Sequence, residues 1–251
     1  MSAADRWFLR PPDPAARARL FVFPYAGVGA SMVAGWPRRL GAAEVVPLQF
    51  PARENRIGEP HFGTYERLAD QAVRAVGPWL STPYAFFGHC SGALPAFETV
   101  LRIEEQGLPA PAELFVSGQA APCDCPFDRL LDLDDDGLRE ELARVIGERG
   151  GTPTPALLDV AWRVLRDDLA ATGRYRRADI RVLGCPVTAL HWADDAEITR
   201  PQVDRWLGYS AASRVVVLPG GHYDVLTAPD PLLQLLSGWT AALAGDTGRA
   251  V

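Results

Sequence analysis

The 251-residue sequence contains few residues of the kinds that cross-link chains or bind metals, with four cysteines and four histidines. The cysteines are Cys90, Cys123, Cys125 and Cys185. Their spacing fits neither a disulfide-rich scaffold nor a zinc ribbon, and two close thiols in a turn-rich stretch are weak evidence for a metal. We therefore expect reduced thiols, no bound metal and a cytoplasmic location.

The sequence also lacks a long hydrophobic run and an excess of positive charge. The longest apolar stretch, 20–36, is interrupted by Pro24 and three glycines, so it falls short of a membrane-spanning helix. The first ten residues, MSAADRWFLR, do not have the charged-then-apolar pattern of a signal peptide. The formal net charge of −6 argues against nucleic acid and anionic membrane surfaces as partners.

Hydrophobic residues make up 48% of the chain, which is enough for a large buried core. Short apolar runs predict parallel strands covered on both faces, at 19–23, 45–50, 83–87, 113–117, 186–191 and 214–218. Helices are predicted at 31–40, 64–80, 92–106, 199–207 and 229–243. This alternation predicts an α/β fold with a mostly parallel central sheet and helices on both faces, formed by a single domain over residues 1–251.

One segment interrupts the alternation of strands and helices. Residues from about 128 to 177 contain no predicted strand but two amphipathic helices, 134–148 and 155–169, separated by Gly-Gly-Thr-Pro at 150–153. Because a helical insertion of this kind often covers an active site, we predict that the segment is a lid. A helical layer without that role is the alternative.

The sequence GHCSG at 88–92 follows a predicted strand and precedes a predicted helix. This is the pattern of a nucleophile elbow, a sharp turn whose flanking positions must be small because neighbouring chain passes close by. Cys90 has glycine two residues before and two after it, whereas Ser91 has His89 and Ala93 in those places. Cys90 is therefore the predicted nucleophile, with its thiolate favoured by the helix N-terminus. The alternative is a small buried hydrophobic residue.

A nucleophilic thiol needs a base, and the base needs a group that orients it. His222 is the predicted base, because it follows the last strong strand at the edge of the sheet where ligands gather. The acid is expected between nucleophile and base in chain order, where Asp194 and Asp195 follow the strand at 186–191. Asp195 is preferred because it stands three residues before the apolar Ile198, and Asp194 remains a competitor.

The other histidines have weaker contexts. His89 adjoins the nucleophile and is expected to point away from it, and His191 ends a strand. His61 lies in a loop that offers no evident carboxylate partner. None of the three is assigned a catalytic role.

Two backbone N–H groups are predicted to form the oxyanion hole, which stabilises negative charge on the attacked carbonyl oxygen. One belongs to Ser91, the residue after the nucleophile, and the other should lie in a loop after an early strand. The stretch FVFPYAGVGAS at 21–31 fits that loop, because its small residues let the backbone approach a substrate. The N–H of Ala26 is the candidate.

With these residues in place, the chain resembles the type II thioesterases, stand-alone α/β-hydrolases that serve polyketide synthases and nonribosomal peptide synthetases. The resemblance lies in FPYAGVGAS (23–31), FPARENRIGEP (50–60), FGHCSGALPAFE (87–98), LRDDLAATGRYR (165–176), CPVTALHWADDAEIT (185–199) and LPGGHYDVL (218–226), in order along almost the whole chain. It implies an α/β-hydrolase fold with a helical lid. By position it puts the nucleophile, acid, base and oxyanion amides on Cys90, Asp195, His222, Ala26 and Ser91.

The resemblance also implies a substrate and a partner. The substrate is an acyl or aminoacyl thioester on the phosphopantetheine arm of an acyl or peptidyl carrier protein, and the enzyme needs no cofactor of its own. We expect a monomer. Since carrier proteins are generally acidic, a basic patch is expected at Arg174, Arg176 and Arg177 or at Arg53 and Arg56, although ordinary solvated arginines, or a structural Arg53, are alternatives.

The sequence departs from that family at the elbow, where members usually carry Ser followed by a bulky residue such as Met. Here the pair is Cys90-Ser91, the early loop reads GVG instead of a glycine pair, and the acid loop reads WADD where glycine often comes first. Attack by Cys on a thioester forms another thioester of similar energy, so the acyl group stays activated. Hydrolysis is the preferred function, acyl transfer to a thiol, amine or alcohol is the alternative, and a non-catalytic carrier-protein binder is the third hypothesis.

Overall fold

The computed structural model describes residues 5–148 and 151–241, and its centre is a seven-stranded sheet in the order β2-β3-β1-β4-β5-β6-β7. The strands are β1 (Ala18–Phe23), β2 (Arg39–Leu40), β3 (Ala43–Pro47), β4 (Tyr84–His89), β5 (Glu113–Ser117), β6 (Val187–Trp192) and β7 (Arg214–Leu218). All neighbours pair in parallel except β2 and β3, which are antiparallel. The predicted mostly parallel sheet is confirmed.

Helices cover both faces of this sheet. They are α1 (Tyr65–Val76), α2 (Ala93–Glu105), α3 (Asp135–Glu148), α4 (Pro155–Arg174), α5 (Arg200–Asp204) and α6 (Asp230–Gly238). Every residue of β1 is buried: Phe21 and Phe23 pack into the core shared with α1 and α2, whereas Leu20 and Val22 pack into the core shared with α6. No helix in the described part of the chain has the length and apolar character needed to cross a bilayer.

Two predicted elements differ from the structure. The helix predicted at 31–40 is wrong: a short 3₁₀ turn, Ala30–Val33, is followed by Gly35 and Pro37 and then by β2. Glycine and proline are the poorest helix formers, which explains the early end. The strand predicted at 45–50 ends at Pro47, although the N–H of Leu48 still donates to the carbonyl oxygen of Val22 at 2.9 Å.

The other predicted helices are present with shifted ends. The helices predicted at 64–80 and 199–207 end as α-helices at Val76 and Asp204, and 3₁₀ turns follow both. α4 continues to Arg174, five residues beyond the predicted end. α6 ends at Gly238; residues 242 and 243 of the predicted helix, and residue 150 of the predicted hinge, lie outside the described residues.

The insertion between β5 and β6 consists of α3, α4 and a short 3₁₀ turn, Arg129–Asp132. α4 starts cleanly, because the hydroxyl of Thr154 accepts the N–H of Leu157 and Pro155 occupies the first helical position. Its buried side packs Leu165 and Leu169 with Leu138 of α3, in a small core that also includes Ala26. The insertion therefore lies over the loop that follows β1.

Candidate active site

Cys90 is held in a strained turn between β4 and α2. Its φ of 48° falls in the left-handed region that non-glycine residues rarely adopt. A Cβ added to Gly88 would come within 2.4 Å of the carbonyl oxygen of Gly92. One added to Gly92 would come within 2.6 Å of the carbonyl oxygen of Phe23, at the end of β1. Both flanking positions therefore require glycine, as expected for a nucleophile elbow.

Replacing Gly92 with alanine is expected to lower the free energy of unfolding by about 1–3 kcal/mol, because the new methyl group overlaps the backbone of β1. Urea unfolding followed by circular dichroism measures the change. Gly58→Ala is the matched control, since no atom lies within 4 Å of its added Cβ. Equal stability of the two variants would contradict the steric argument.

His222 follows β7 through Gly220 and Gly221 and is paired with Asp195. The distance from Nδ1 of His222 to Oδ2 of Asp195 is 2.9 Å, and both side chains are buried. Oδ1 of Asp195 accepts the N–H groups of Glu197 at 2.8 Å and Ile198 at 3.1 Å. Burial raises the pKa of Asp195, but its hydrogen bonds and the charge of His222 outweigh burial and lower it.

Asp194 does not share this environment. Its side chain is exposed, and its backbone N–H donates to the carbonyl oxygen of Gly220 at 2.9 Å. Of the two aspartates that the sequence left open, only Asp195 contacts His222 in the structure. The geometry thus favours Asp195 as the orienting acid.

The Cys90 thiol and the His222 imidazole lie close enough to shift each other's pKa, although Nε2 of His222 makes no hydrogen bond of regular geometry with a described residue. Burial lowers the pKa of His222, but Asp195, the Cys90 thiolate and Glu197 outweigh burial and raise it to about 10. The imidazole beside Asp195 is therefore a stronger base than a free imidazole.

The prediction that the helix N-terminus lowers the pKa of the Cys90 thiol is wrong. Desolvation is the largest effect on Cys90 and raises its pKa, although interaction with His222 opposes the rise. The position at a helix N-terminus favours a thiolate, but that local argument did not include the desolvation of the thiol in the folded protein.

Alkylation of Cys90 by iodoacetamide is therefore expected to reach half its maximal rate at a pH above about 8.5, the pKa of free cysteine. The thiolate is the reactive form, and a raised pKa delays its formation to higher pH. Peptide mass spectrometry over a pH series separates Cys90 from the partly exposed Cys123. A rate at Cys90 that reaches its plateau below pH 8 would contradict the expectation.

The N–H of Ala26, one predicted oxyanion donor, already has an acceptor within the protein. It donates to Oγ of Ser91 at 2.7 Å, and the next N–H, of Gly27, donates to Oδ2 of Asp168 at 2.8 Å. Ser91 is the second residue of the 3₁₀ turn Cys90–Gly92 before α2, where N–H groups lack acceptors within the helix. To stabilise an oxyanion, the Ala26 amide has to exchange or share its bond to the Ser91 hydroxyl.

Asp168 of α4 forms a buried ionic cluster that the sequence analysis missed. Its carboxylate accepts two bonds from Arg53, at 2.7 and 2.8 Å, and lies 2.8 Å from Nε2 of His61. Arg53 also donates to the carbonyl oxygen of Val28 at 3.1 Å. The cluster therefore fastens α4 to the loop that carries Ala26, and it supplies the carboxylate partner of His61 that the sequence did not reveal.

Removing Arg53 is expected to destabilise the protein strongly. Arg53→Met leaves the Asp168 carboxylate buried without its arginine, with only His61 and the N–H of Gly27 beside it. Losing one partner of a buried ion pair typically costs about 3–5 kcal/mol. Urea unfolding measures the loss. The exposed pair Arg139–Asp159 provides the control, since Asp159→Asn is expected to cost less than about 1 kcal/mol.

The basic patch expected for a carrier protein is only partly available. Arg53 and Arg56 are buried, so they do not present charge at an entrance. Arg177 is paired with the fully buried Glu98 at 2.7 Å. Arg174 and Arg176 remain exposed.

Cys90 and His222 open into a small recess beneath the insertion, of about 10 Å³, room for about one water molecule. Polar and charged residues lining this recess are Cys90, Gln119, Asp128, Arg129, Glu197 and His222. Arg129, on the insertion, bonds to Glu197 at 2.9 Å on the loop after β6, and it also bonds to Glu141 of α3. Arg129 thus ties the start of the insertion both to the loop after β6 and to α3.

His89 is fully buried beside this pair. Its Nδ1 lies 3.0 Å from Oγ of Ser117, and its ring centre lies 4.6 Å from that of His222. Burial and the neighbouring His222 keep the pKa of His89 well below its ordinary value, so it stays neutral. A second cation beside His222 is thereby avoided.

Comparison with known proteins gives the family. The thioesterase domain model matches residues 18–240. The gramicidin S biosynthesis protein GrsT of Aneurinibacillus migulanus is 31% identical over 94% of this chain and 94% of its own length. A cadicidin biosynthesis thioesterase of Streptomyces griseus is 35% identical over 88% of this chain, and the match spans 62% of that relative.

Solved structures agree with the sequence comparison. The RedJ thioesterase from the prodiginine pathway of Streptomyces coelicolor superposes with a TM-score of 0.80 at 36% identity, covering 95% of this chain and 100% of that one. The type II thioesterase BorB from the borrelidin cluster gives 0.79 at 27% identity, covering 95% and 99%. The α/β-hydrolase fold is confirmed, and the chain belongs to the thioesterase family, among its type II members.

Proposed function

We propose that the protein hydrolyses acyl or aminoacyl thioesters carried on the phosphopantetheine arm of an acyl or peptidyl carrier protein. The observation that carries the proposal is the hydrogen-bonded pair of His222 and Asp195 next to Cys90, with Cys90 and His222 lining the same recess. Relatives named for gramicidin S biosynthesis and for the prodiginine pathway support a role in releasing acyl groups during polyketide or nonribosomal peptide assembly.

The first half of the reaction transfers the acyl group to the enzyme. Sγ of Cys90 attacks the thioester carbonyl carbon while the thiol proton moves to Nε2 of His222, and Asp195 stabilises the resulting imidazolium through Nδ1. The oxyanion is stabilised by the N–H of Ser91, with Ala26 as the second donor once its bond to the Ser91 hydroxyl is shared. Collapse expels the carrier thiolate, which takes the proton from His222.

The second half releases the product. Water attacks the acyl-Cys90 thioester while His222 removes one of its protons, and the tetrahedral intermediate collapses to a carboxylic acid and the Cys90 thiolate. The proton on His222 then returns to the sulfur. Because the recess holds about one water molecule, access of water to the acyl-enzyme depends on the position of the insertion.

Acyl transfer is the second candidate, and the sulfur nucleophile is the observation that favours it. Acyl-Cys90 would be a thioester with about the same energy as the substrate, so an incoming thiol, amine or alcohol could accept the acyl group in place of water. The two candidates share the first half-reaction and differ only in the acceptor.

Intact-protein mass spectrometry after exposure to acyl-carrier thioesters, with water and an amine competing, distinguishes these functions. A transient mass increase mapping to Cys90, followed by free acid, supports hydrolysis. Accumulation of the amide instead would make transfer the main activity. A carrier that binds without ever acylating Cys90 would overturn both and leave a non-catalytic binder.

A further inference from the structure

One of the two predicted oxyanion donors is already in use within the protein. The N–H of Ala26 donates to Oγ of Ser91 at 2.7 Å, a distance at which the same N–H would hold an oxyanion. The backbone N–H of Ser91, in the 3₁₀ turn before α2, is the other predicted donor. Since losing one donor typically slows catalysis by about 10²–10³-fold, a hole that relied on the Ser91 N–H alone would be weak.

The hydroxyl of Ser91 has a hydrogen atom to donate. A hydroxyl donates one hydrogen bond and accepts two, and within residues 5–148 and 151–241 the one hydrogen bond of this side chain is the bond that it accepts from Ala26. Ser91 is 3% exposed, so bulk water does not supply the acceptor. Because buried donors are normally paired, we expect the hydroxyl hydrogen to bond to a group that arrives with the substrate.

The amide that holds this hydroxyl is itself held in place. The next N–H along the loop, of Gly27, donates to Oδ2 of Asp168 at 2.8 Å, and Arg53 donates to the same carboxylate oxygen at 2.7 Å. Both charged side chains are buried. These contacts fix the N–H of Ala26, which in turn fixes the oxygen of the Ser91 hydroxyl and leaves its hydrogen free to turn toward a substrate.

The substrate carbonyl oxygen comes next to this hydroxyl during the reaction. The attacked carbon bonds to Sγ of Cys90, the residue before Ser91, and its oxygen is drawn toward the N–H of Ser91. Ser91 and Ala26 line a recess of about 10 Å³ that is separate from the recess lined by Cys90 and His222. The imidazole and the hydroxyl therefore serve different substrate atoms, the leaving sulfur and the carbonyl oxygen.

We propose that the Ser91 hydroxyl is a third oxyanion donor, which keeps its bond from the N–H of Ala26 and donates its own hydrogen to the substrate oxygen. The inference rests on the proposed function and deepens it by adding a catalytic side chain to the two backbone donors. The bond from Ala26 polarises the hydroxyl and makes it a stronger donor. Ala26 thus supports the oxyanion through Ser91 as well as by sharing its own N–H.

The first test is kinetic. Ser91→Ala removes the hydroxyl and keeps the N–H of that residue, and we expect kcat/KM for the acetyl thioester of N-acetylcysteamine to fall at least about tenfold. Ser210→Ala is the matched control, because the hydroxyl of the buried Ser210 also accepts a backbone N–H, that of Ala212 at 3.1 Å. Ser210 precedes β7 whereas His222 follows it, so the control should stay within about twofold.

The second test separates an effect on the oxyanion from an effect on the thiol or the fold. The Cys90 thiolate adds to the carbonyl carbon of 1,1,1-trifluoroacetone, and the C=O electron pair moves to the oxygen, which becomes an oxyanion. Iodoacetamide alkylates the same sulfur by displacing iodide, and no oxyanion forms. We expect Ser91→Ala to raise the dissociation constant of the ketone adduct, measured by ¹⁹F NMR, at least about fivefold. The alkylation rate should stay within about twofold.

An unchanged dissociation constant in Ser91→Ala would overturn the inference. Tighter binding would overturn it too, because the hydroxyl would then block the N–H of Ala26 instead of assisting it. A parallel loss of alkylation rate would place the effect on the sulfur or the fold, and absence of any ketone adduct in the unmodified protein would show that no oxyanion is held. Absence of thioester hydrolysis overturns the proposed function instead, and the ketone titration still decides the role of Ser91.

Discussion

Cys90→Ala is expected to lower kcat for release of acyl groups from a carrier protein by at least about 10³-fold. The variant keeps the fold of the elbow but has no atom that can form an acyl-enzyme, so only binding and oxyanion stabilisation remain. Cys90→Ser is expected to keep measurable hydrolysis, because a hydroxyl at the same position can accept the acyl group as an oxyester. Single-turnover assays with an acyl-carrier substrate measure both variants.

The control for this comparison is Cys123→Ala, which removes a partly exposed thiol that lies beside Arg205 instead of His222. It should retain turnover within about twofold, as is usual for surface positions. Circular dichroism checks that Cys90→Ala is folded. Full turnover by folded Cys90→Ala would show that another group attacks the substrate.

The elbow was predictable because its causes are local. A strand that turns into a helix within GHCSG leaves room for only hydrogen atoms at Gly88 and Gly92, and the structure shows backbone within 2.4 and 2.6 Å of the added Cβ atoms. The relation between His222 and Asp195 followed from chain order, since parallel strands bring their carboxyl ends to one edge of the sheet.

The cluster around Asp168 was not predictable in the same way, because its members come from separate parts of the chain. Arg53 and Asp168 are 115 residues apart, and only the packing of α4 over the loop after β1 brings them together. A signal was present, however. Asp168 lies between Leu165 and Leu169 on the buried side of an amphipathic helix, and a carboxylate on an apolar face demands a partner.

The charge state of the thiol shows where local reasoning reaches its limit. The position at a helix N-terminus favours a thiolate, whereas burial and two carboxylates, Asp128 and Glu197, favour the thiol. Asp128 belongs to the insertion and Glu197 to the loop after β6, so their effect on Cys90 exists only in the folded protein. Tertiary contacts therefore decide the charge state of this thiol, which the local sequence alone does not determine.

Asp195→Asn is expected to reduce kcat/KM by about 10³–10⁴-fold, whereas Asp194→Asn changes it by less than about threefold. Asn at 195 can still accept the N–H groups of Glu197 and Ile198, so the loop keeps its shape. It cannot stabilise the imidazolium of His222. In the unmodified protein Nδ1 of His222 lies 2.9 Å from Oδ2 of Asp195, and an amide group at that place favours the wrong tautomer of the ring.

Asp194 is exposed and contacts neither ring nitrogen of His222, so its substitution tests whether any acid in this loop suffices. The pH profile adds a second readout for Asp195. Because its hydrogen bond raises the pKa of His222 against burial, Asp195→Asn should move that pKa downward from about 10. Loss of the Asp195 carboxylate thus makes the His222 imidazole a weaker base and also removes the hydrogen bond that orients its ring, so the rate should fall at every pH. A larger loss in Asp194→Asn than in Asp195→Asn would assign the acid to Asp194 and break the link between the observed pair and catalysis.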